Sequence, residues 1–238
     1  MDEYPMRINK YLAHQKIATR DGADALVSRG DVFVNGKRAV LGSKVSENDK
    51  VEVRGKDSIK KYVYYAYNKP QGVITHSPQD EEKDIKETIK NKSIGKDVFP
   101  VGRLDKDSHG LMILTNDGRI TDLLLNPKYI HEKEYAVKTF NKLRSNFKQK
   151  MEAGVKIEDY KTKPCKIEII NENMFRIILT EGKKHQIRRM CSALFQEIAD
   201  LKRTRIMNIE LGKISNNSFR EIKGKELQTF LQSIGINQ

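Results

Sequence analysis

The most informative stretch of the sequence is Val101-Gly102-Arg103-Leu104-Asp105-Lys106-Asp107-Ser108-His109-Gly110-Leu111. It places an arginine and a carboxylate two positions apart. Side chains two apart in an extended chain project from one face, so Arg103 and Asp105 are predicted to point together, with Leu104 turned inward. The apolar run at 111–115 indicates a buried strand, and the Asn-Asp-Gly that follows it indicates a turn. An isolated Arg-x-Asp sequence usually forms a solvated ion pair at the surface. Whether this one belongs to a functional site therefore depends on the rest of the sequence.

Composition favours a basic protein with a polyanionic partner. The chain has 238 residues and a formal charge of +13, enough length for one large domain or for a small and a larger one. Its amino terminus lacks the layout of a signal peptide, and its two cysteines form no metal-like cluster, so we expect a cytoplasmic protein. No apolar run approaches the ~20 residues of a membrane span, so no membrane partner is expected. The lack of Trp argues against broad stacking on single-stranded bases.

Residues 1–56 are predicted to form a small module. Apolar spacing predicts helices over 6–16 and 19–29, and Asn35-Gly36 predicts a hairpin turn, followed by a strand at 51–53. The basic residues of this module form either an ordinary solvated surface or a face that contacts RNA phosphates, and the charge pattern favours the second. The residues predicted to bind RNA here are Arg7, Lys10, Arg20, Lys37 and Arg38.

Residues 57–61 are predicted to be a linker, and residues 62–238 a larger domain. Strands mix with helices there without a regular alternation, which predicts an α+β fold with a mixed sheet. Strands are predicted at 62–67, 111–115, 135–137 and 198–213, with a hairpin at 165–180 that turns at 171–173. Helices are predicted at 81–92, 119–126, 142–153, 185–195 and 224–234.

Four motifs of the larger domain occur in an order that resembles one family. They are GRLDKDSHGL from 102, NKPQGV from 68, EKEY from 132 and EGKKHQIRRM from 181. They resemble the motifs of the pseudouridine synthases, in the RsuA/RluB/RluE/RluF branch that acts on ribosomal RNA. Residues 131–135 and 203–208 look most like the RluF group. The amino-terminal module resembles the αL-type RNA-binding module of a small-subunit ribosomal protein and tyrosyl-tRNA synthetase.

This resemblance implies that the protein isomerises a specific uridine in large-subunit (23S-type) ribosomal RNA to pseudouridine. The expected partner is a structured stem-loop of that RNA, the expected state is a monomer, and neither a cofactor nor a metal is expected. Asp105 matches the catalytic aspartate of the family. Asp107 lies two positions after Asp105 and would project from the same face of an extended chain. Geometry alone therefore leaves it as an alternative nucleophile, and the preference for Asp105 rests on the resemblance.

The resemblance also implies roles for five further residues. Arg188 matches the family's arginine that forms a salt bridge with the aspartate, and Tyr135 matches the active-site tyrosine that packs on the flipped uracil. Arg103 matches the arginine that fills the space left by the flipped base, while Ile187 is expected to contact the base. Lys69 is expected to touch the RNA backbone.

Three points stay open at the level of sequence. His109 and His185 are expected to be RNA-facing or structural, because the family assigns them no proton transfer. A non-catalytic ribosome-assembly or RNA-chaperone protein that kept the scaffold is the competing hypothesis, and the presence of Asp105, Tyr135 and Arg188 favours the enzyme. An RNA-binding regulator that uses only its amino-terminal module would leave the four later motifs unexplained.

Overall fold

The structure is a computed structural model that describes residues 4–15, 17–54, 62–75, 84–89, 94, 98–158 and 160–236. The described residues up to Tyr62, together with Asp117–Asp122, form one compact unit, and the other described residues form a second. The predicted linker at 57–61 lies outside the described residues. No helix in the described part of the chain is both long and apolar enough to cross a bilayer.

The secondary structure comprises short strands and helices in a mixed order. The strands are β1 Met6–Arg7, β2 Val32–Val34, β3 Lys37–Arg38, β4 Lys44–Val45, β5 Val51–Val53, β6 Tyr64–Lys69, β7 Phe99–Val101, β8 His109–Thr115, β9 Lys133–Thr139, β10 Lys156–Ile157, β11 Tyr160–Lys161, β12 Lys166–Asn171, β13 Met174–Leu179, β14 Ile198–Ile206, β15 Ile209–Glu210 and β16 Phe219–Glu221. The helices are α1 Ile8–His14, α2 Arg20–Ser28, α3 Ile85–Ile89, α4 Arg119–Leu125, α5 Phe147–Glu152, α6 Gln186–Ala193 and α7 Gly224–Ser233.

The first unit packs α1 and α2 against small sheets, as the sequence predicts. The side chain of Thr19 accepts a hydrogen bond from the Gly22 amide at 3.0 Å and so caps α2. Asn35 and Gly36 both have positive φ, 49° and 77°, which the tight turn between β2 and β3 requires. Helix α1 begins later than predicted, because β1 pairs with β4. Ile8, Leu12, Ala23, Val27, Val32 and Val45 are among the buried residues of this core.

The second unit is built on one mixed sheet. The strand order is β12-β13-β9-β14-β8-β6-β16, with β7 also paired to β8 and β15 to β14. The pairing of β14 with β8 is parallel and the other pairings are antiparallel, which confirms the predicted α+β class. One apolar cluster gathers α5, α6 and the strands β9, β12 and β13, and a second gathers α3 with β6 and β8.

Three neighbouring strands bring Tyr135, Arg203 and Gly110 side by side. Tyr135 in β9 lies opposite Arg203 in β14, and Arg203 lies opposite Gly110 in β8. Gly110 has φ of 103°, and a Cβ atom built on it would lie 2.3 Å from the Arg203 carbonyl oxygen. Only glycine fits this position, because both the backbone angle and the close approach of the parallel strand exclude a side chain.

Several predicted boundaries are wrong. β6 continues through Lys69, past the predicted end of the strand at residue 67. The helix expected over 142–153 is limited to α5, because the Leu143 amide bonds to the Glu172 carbonyl and ties residue 143 to the β12–β13 hairpin. Of the helix predicted at 81–92, α3 is the portion that falls within the described residues.

Candidate active site

Residues 102–108, here called the Asp105 loop, connect β7 to β8. Leu104 is buried in the core beside α3, whereas Arg103 is exposed and the Asp105 side chain is 38% exposed. The Thr75 hydroxyl donates to the Leu104 carbonyl at 2.8 Å and accepts from the Leu104 amide at 3.1 Å. The alternation predicted for residues 103–105 is therefore present, and Asp105 faces outward from an anchored backbone.

Lys69 lies beneath this loop and not on the RNA-facing surface that the sequence suggested. Its side chain is fully buried, and Nζ donates to the carbonyl oxygens of Pro70, Asp105 and Ser108 at 2.9, 3.2 and 2.7 Å. Burial lowers the pKa of Lys69 to about 8, while the nearby Asp105 charge acts in the opposite direction. The prediction that Lys69 contacts the RNA backbone is wrong, because the lysine ends β6 inside the protein.

Arg203 is a second buried cation beside the same loop. It is 4% exposed, and its Nε donates to the Leu111 carbonyl at 2.7 Å while Nη1 lies 3.5 Å from the Arg103 carbonyl. Within the described part of the chain its Nη2 atom has no hydrogen-bond partner. Arg203 lies within the strand predicted at 198–213, and no site role was predicted for it. The buried Leu201, two positions earlier, was the signal that Arg203 points inward.

The predicted salt bridge between Asp105 and Arg188 is not formed between these described residues. Instead, Arg188 Nη2 donates to the backbone carbonyl of Asp107 at 3.1 Å. His185 Nε2 lies 3.4 Å from Asp105 Oδ1. His185 directly precedes α6 and has φ of 52°, so its imidazole takes the place beside the carboxylate, while Arg188 lies nearly a turn further along the helix.

Gln186, for which no role was predicted, fixes the start of α6. It is 4% exposed, its Oε1 accepts from the Lys183 amide at 2.9 Å, and its Nε2 donates to Glu181 Oε1 at 2.7 Å. The helix has no side-chain hydrogen bond from its N-cap residue, His185. These two bonds therefore hold the helix end that carries Ile187 and Arg188.

Tyr135 and Ile187 lie at different depths near this loop. Tyr135 is half-buried and packs against both apolar clusters of the second unit. Ile187 is 5% exposed and belongs to the core beneath α6. Its contact with a base stays a prediction.

His109 has a structural partner. Its Nε2 lies 2.9 Å from Asp200 Oδ1, and the Gln71 side chain donates to the same oxygen at 3.2 Å. Gln71 Nε2 also approaches the Asp107 carbonyl at 3.5 Å. The contact ties the first residue of β8 to β14 and agrees with the structural interpretation of His109.

The basic residues predicted to bind RNA in the first unit all lie on its surface. They are Arg7 in β1, Lys10 in α1, Arg20 in α2, and Lys37 and Arg38 in β3, and each is exposed. Exposure of this kind is compatible with phosphate contacts, and their role in RNA binding stays a prediction. Among the described residues, no group of three or more His, Cys, Asp or Glu side chains is arranged to hold a metal ion.

Comparison with known proteins adds two family matches. A model of the RNA pseudouridylate synthase family matches residues 63–193, and a model of the S4 domain matches residues 6–51. The dual-specificity RNA pseudouridine synthase RluF of Escherichia coli (strain K12) is 39% identical, over 93% of this chain and 77% of that protein. Ribosomal large subunit pseudouridine synthase B of Bacillus subtilis (strain 168) is 34% identical, over 93% and 94%. A crystal structure of a pseudouridylate synthase superposes with a TM-score of 0.68 at 26% identity, covering 96% of this chain and 99% of that one.

Proposed function

Because this chain belongs to the RNA pseudouridylate synthase family, we propose that it isomerises a specific uridine of large-subunit ribosomal RNA with Asp105 as the nucleophile. That it is an RNA pseudouridine synthase, an isomerase with an S4 domain, follows from the family matches. The large-subunit target is supported by the relative from Bacillus subtilis, whose name specifies that subunit. The relative from Escherichia coli is named for dual specificity, so a second RNA substrate is compatible with the proposal.

The proposed reaction conserves atoms and electrons. The bond between N1 of uracil and C1′ of ribose breaks, the uracil turns, and a bond forms between C5 and C1′. The proton displaced from C5 is lost and N1 gains one, so no oxidant, reductant or energy source enters. A carboxylate suits this series of steps because it can form a bond as a nucleophile and then depart as a leaving group.

One observation carries the choice of Asp105. Its backbone is fixed from below by buried Lys69, yet its carboxylate remains 38% exposed at the surface of the loop. A nucleophile needs this combination of a rigid backbone and an accessible side chain. Asp107 is exposed, and the groups that contact it, Arg188 and Gln71, reach its carbonyl oxygen.

Two buried cations lie close to the Asp105 loop. Lys69 and Arg203 are both buried and donate to carbonyl oxygens, so neither positive charge is matched by a carboxylate hydrogen bond within the described residues. We propose that these two cations help to hold Asp105 in place, a role that the resemblance assigned to a salt bridge with Arg188.

The remaining roles follow from the positions of the side chains. Tyr135 is proposed to pack against the flipped uracil, because it lies in the same strand row as Arg203 and Gly110. Arg103 is exposed beside Asp105 and is proposed to fill the gap left by the base, which costs a few kcal/mol to extrude. Arg188 is proposed to turn from the Asp107 carbonyl to the Asp105 carboxylate when RNA binds. Ile187 is proposed to border the base.

The first unit is proposed to hold the RNA. Its exposed basic residues are placed on several elements, and phosphate contacts of this type orient a structured stem-loop without reading its sequence. We further propose a monomer that works in the cytoplasm, with the RNA-binding module at 1–56, a linker at 57–61 and the catalytic domain at 62–238. A protein that only binds RNA is the alternative, and the family matches favour the enzyme.

The decisive experiment compares two neighbouring aspartates. Asp105→Ala is expected to abolish pseudouridine formation in ribosomal RNA, measured by mapping modified positions in RNA incubated with purified protein. Its RNA affinity is expected to stay within about twofold, because a single exposed carboxylate contributes little to phosphate binding. Asp107→Ala is the matched control and should keep most of the activity. Full activity in the Asp105 variant would remove the assignment, and loss confined to the Asp107 variant would transfer the role.

A further inference from the structure

Two phenylalanines of the second unit are exposed in a way that the fold does not require. Phe195 is 76% exposed and Phe140 is 64% exposed. The six other phenylalanines of the chain are buried or half-buried. Single exposed hydrophobic side chains are common, but exposed apolar side chains that adjoin one another indicate a binding surface, and here two phenylalanines occur on adjoining loops.

The backbone brings the two loops that carry these rings together, where β9 ends and β14 begins. The Phe140 amide donates to the Glu197 carbonyl at 3.1 Å, and the buried side chain of Gln196 donates to the Lys142 carbonyl at 3.2 Å. The loop after β9 and the loop after α6 are therefore bonded to each other. The Arg144 guanidinium lies 4.9 Å from the centroid of the Phe195 ring. We call Phe140, Arg144 and Phe195 the aromatic platform.

Phe195 has a backbone conformation that disfavours phenylalanine. Its φ is 57°, immediately after α6, where glycine or asparagine is usually found because a Cβ atom is strained there. The position is fixed by hydrogen bonds from the Phe195 amide to the Ser192 carbonyl and from the Gln196 amide to the Cys191 carbonyl, both 2.9 Å. Burial of the ring does not offset this strain, since most of the ring is exposed. The Arg144 guanidinium is the partner recorded for this ring among the described residues, and a strained residue with so exposed a side chain indicates a function in binding.

The surrounding charge favours an anionic partner. Residues 138–150 contain five basic residues and no acidic one. Lys138, Lys142 and Arg144 are exposed beside the platform. The acids of the adjoining loops are Glu172, which pairs with Lys142 at 2.6 Å, and Glu197.

We propose that the aromatic platform stacks one unpaired nucleobase of the RNA substrate, at a distance from the reacting uridine. Aromatic rings with an adjacent guanidinium are the usual means by which proteins hold unpaired bases. Phe140 follows β9 five residues after Tyr135, which separates the two by about 16 Å along the strand. The scarcity of aromatic residues argues against stacking along a whole strand, but a single platform needs only two rings. The proposal requires that the substrate is RNA and is independent of which uridine reacts.

The test measures the affinity of the full chain for short single-stranded RNA. The probe is a twelve-nucleotide oligoadenylate with a central 2-aminopurine, compared with a ribose-phosphate backbone of the same length in which every position is abasic. The double substitution Phe140→Ala with Phe195→Gly is expected to weaken binding of the base-containing probe roughly 5- to 150-fold, the range for the loss of one stacked base. Binding of the abasic probe should change little. Ile130→Ala, at another exposed apolar side chain that is 74% exposed, is the matched control.

A second variant separates binding from folding. Phe195→Gly alone is expected to keep or raise the urea midpoint of unfolding, because glycine adopts positive φ without strain, while it weakens binding of the base-containing probe. Phe195→Trp should restore binding, since a larger ring still stacks. Equal affinity of wild type and the double variant for the base-containing probe would overturn the proposal and leave a protein partner for this surface. A lower midpoint with unchanged affinity in Phe195→Gly would also overturn it, because the ring would then serve the fold.

Discussion

Lys69 shows how a single buried charge organises the active site. Each of the three carbonyl oxygens that it contacts belongs to the chain that turns around Asp105 or to the turn after β6. An ammonium group has three donors, and all three have acceptors here. Burial nevertheless disfavours the charged form, which is why the pKa of Lys69 falls to about 8. The lysine is a positioning residue whose charge state is coupled to the stability of the fold.

This coupling predicts a dependence of stability on pH. Between about pH 8 and the ordinary lysine pKa of about 10.5, the unfolded chain keeps the proton that folded Lys69 has lost, so stability rises with pH. Relative to Lys69→Met, wild type should gain about 2 kcal/mol in unfolding free energy between about pH 7 and about pH 9.5. Urea unfolding at the two pH values measures it. The side chain of Lys69→Arg stays charged at both pH values, so wild type should show the same gain in unfolding free energy relative to that variant. An equal loss of unfolding free energy with rising pH in all three proteins would contradict the prediction.

The sequence predicts which residues carry the chemistry of the site better than it predicts the contacts that those residues make. The outward direction of Asp105 follows from two-residue periodicity, and Leu104 is buried as that periodicity requires. The contacts of Lys69 and Arg188 were not predictable in this way. They depend on where β6 and α6 end relative to the Asp105 loop, a long-range property that no local pattern contains.

At the scale of elements, the parallel pairing of β8 with β14 connects the nucleophile to the rest of the site. Gly110 and Arg203 are partners in this pairing, and the Arg203 side chain returns to the backbone of residues 111 and 103. The Asp105 loop is therefore attached to β14 through both backbone and side chain. Displacement of β14 relative to β8 would move the loop as well.

Gly110→Ala tests this attachment. The added methyl group would lie 2.3 Å from the Arg203 carbonyl oxygen, and φ of 103° is strained for alanine, so the strands must separate. We expect a loss of about 3 kcal/mol or more in unfolding free energy, together with a large fall in kcat. Gly72→Ala is the matched control, because Gly72 has φ of 81° but open space around its Cβ position, and it should lose only about 1 kcal/mol. Similar losses in both variants would show that backbone strain, and not strand contact, is the cause.

Elements with strong local signals were predicted well. The hairpin at Asn35-Gly36 and the apolar face of α6 follow from turn chemistry and helical spacing, and both are confirmed. Helix α5 is shorter than its pattern indicates, because backbone hydrogen bonds to the hairpin compete with helical ones at residue 143. Local patterns specify the type of an element, whereas tertiary hydrogen bonds decide where it ends.

At the scale of the whole molecule, a charge of +13 is divided between the two units and favours association with RNA. Each phosphate neutralised by a lysine or arginine releases counterions, so affinity falls as salt concentration rises. The slope of log affinity against log salt concentration reflects the number of phosphate contacts. Neutralising the basic residues of one surface measures how much of the slope that surface contributes. Recognition of a particular stem-loop adds shape to this electrostatic term.

The exposed basic residues of the first unit should account for a definable part of that slope. Neutralising Arg20, Lys37 and Arg38 to Gln is expected to weaken RNA binding and to reduce the slope of log affinity against log salt by roughly 2 to 3, since each lost contact removes roughly 0.7–0.9. The measurement is a titration of ribosomal RNA fragments at several salt concentrations. A charge-matched control replaces Lys213, Lys223 and Lys225 near the carboxyl-terminal helix. If both triple variants change the slope equally, the effect comes from net charge, and the first unit has no special place in the RNA contact.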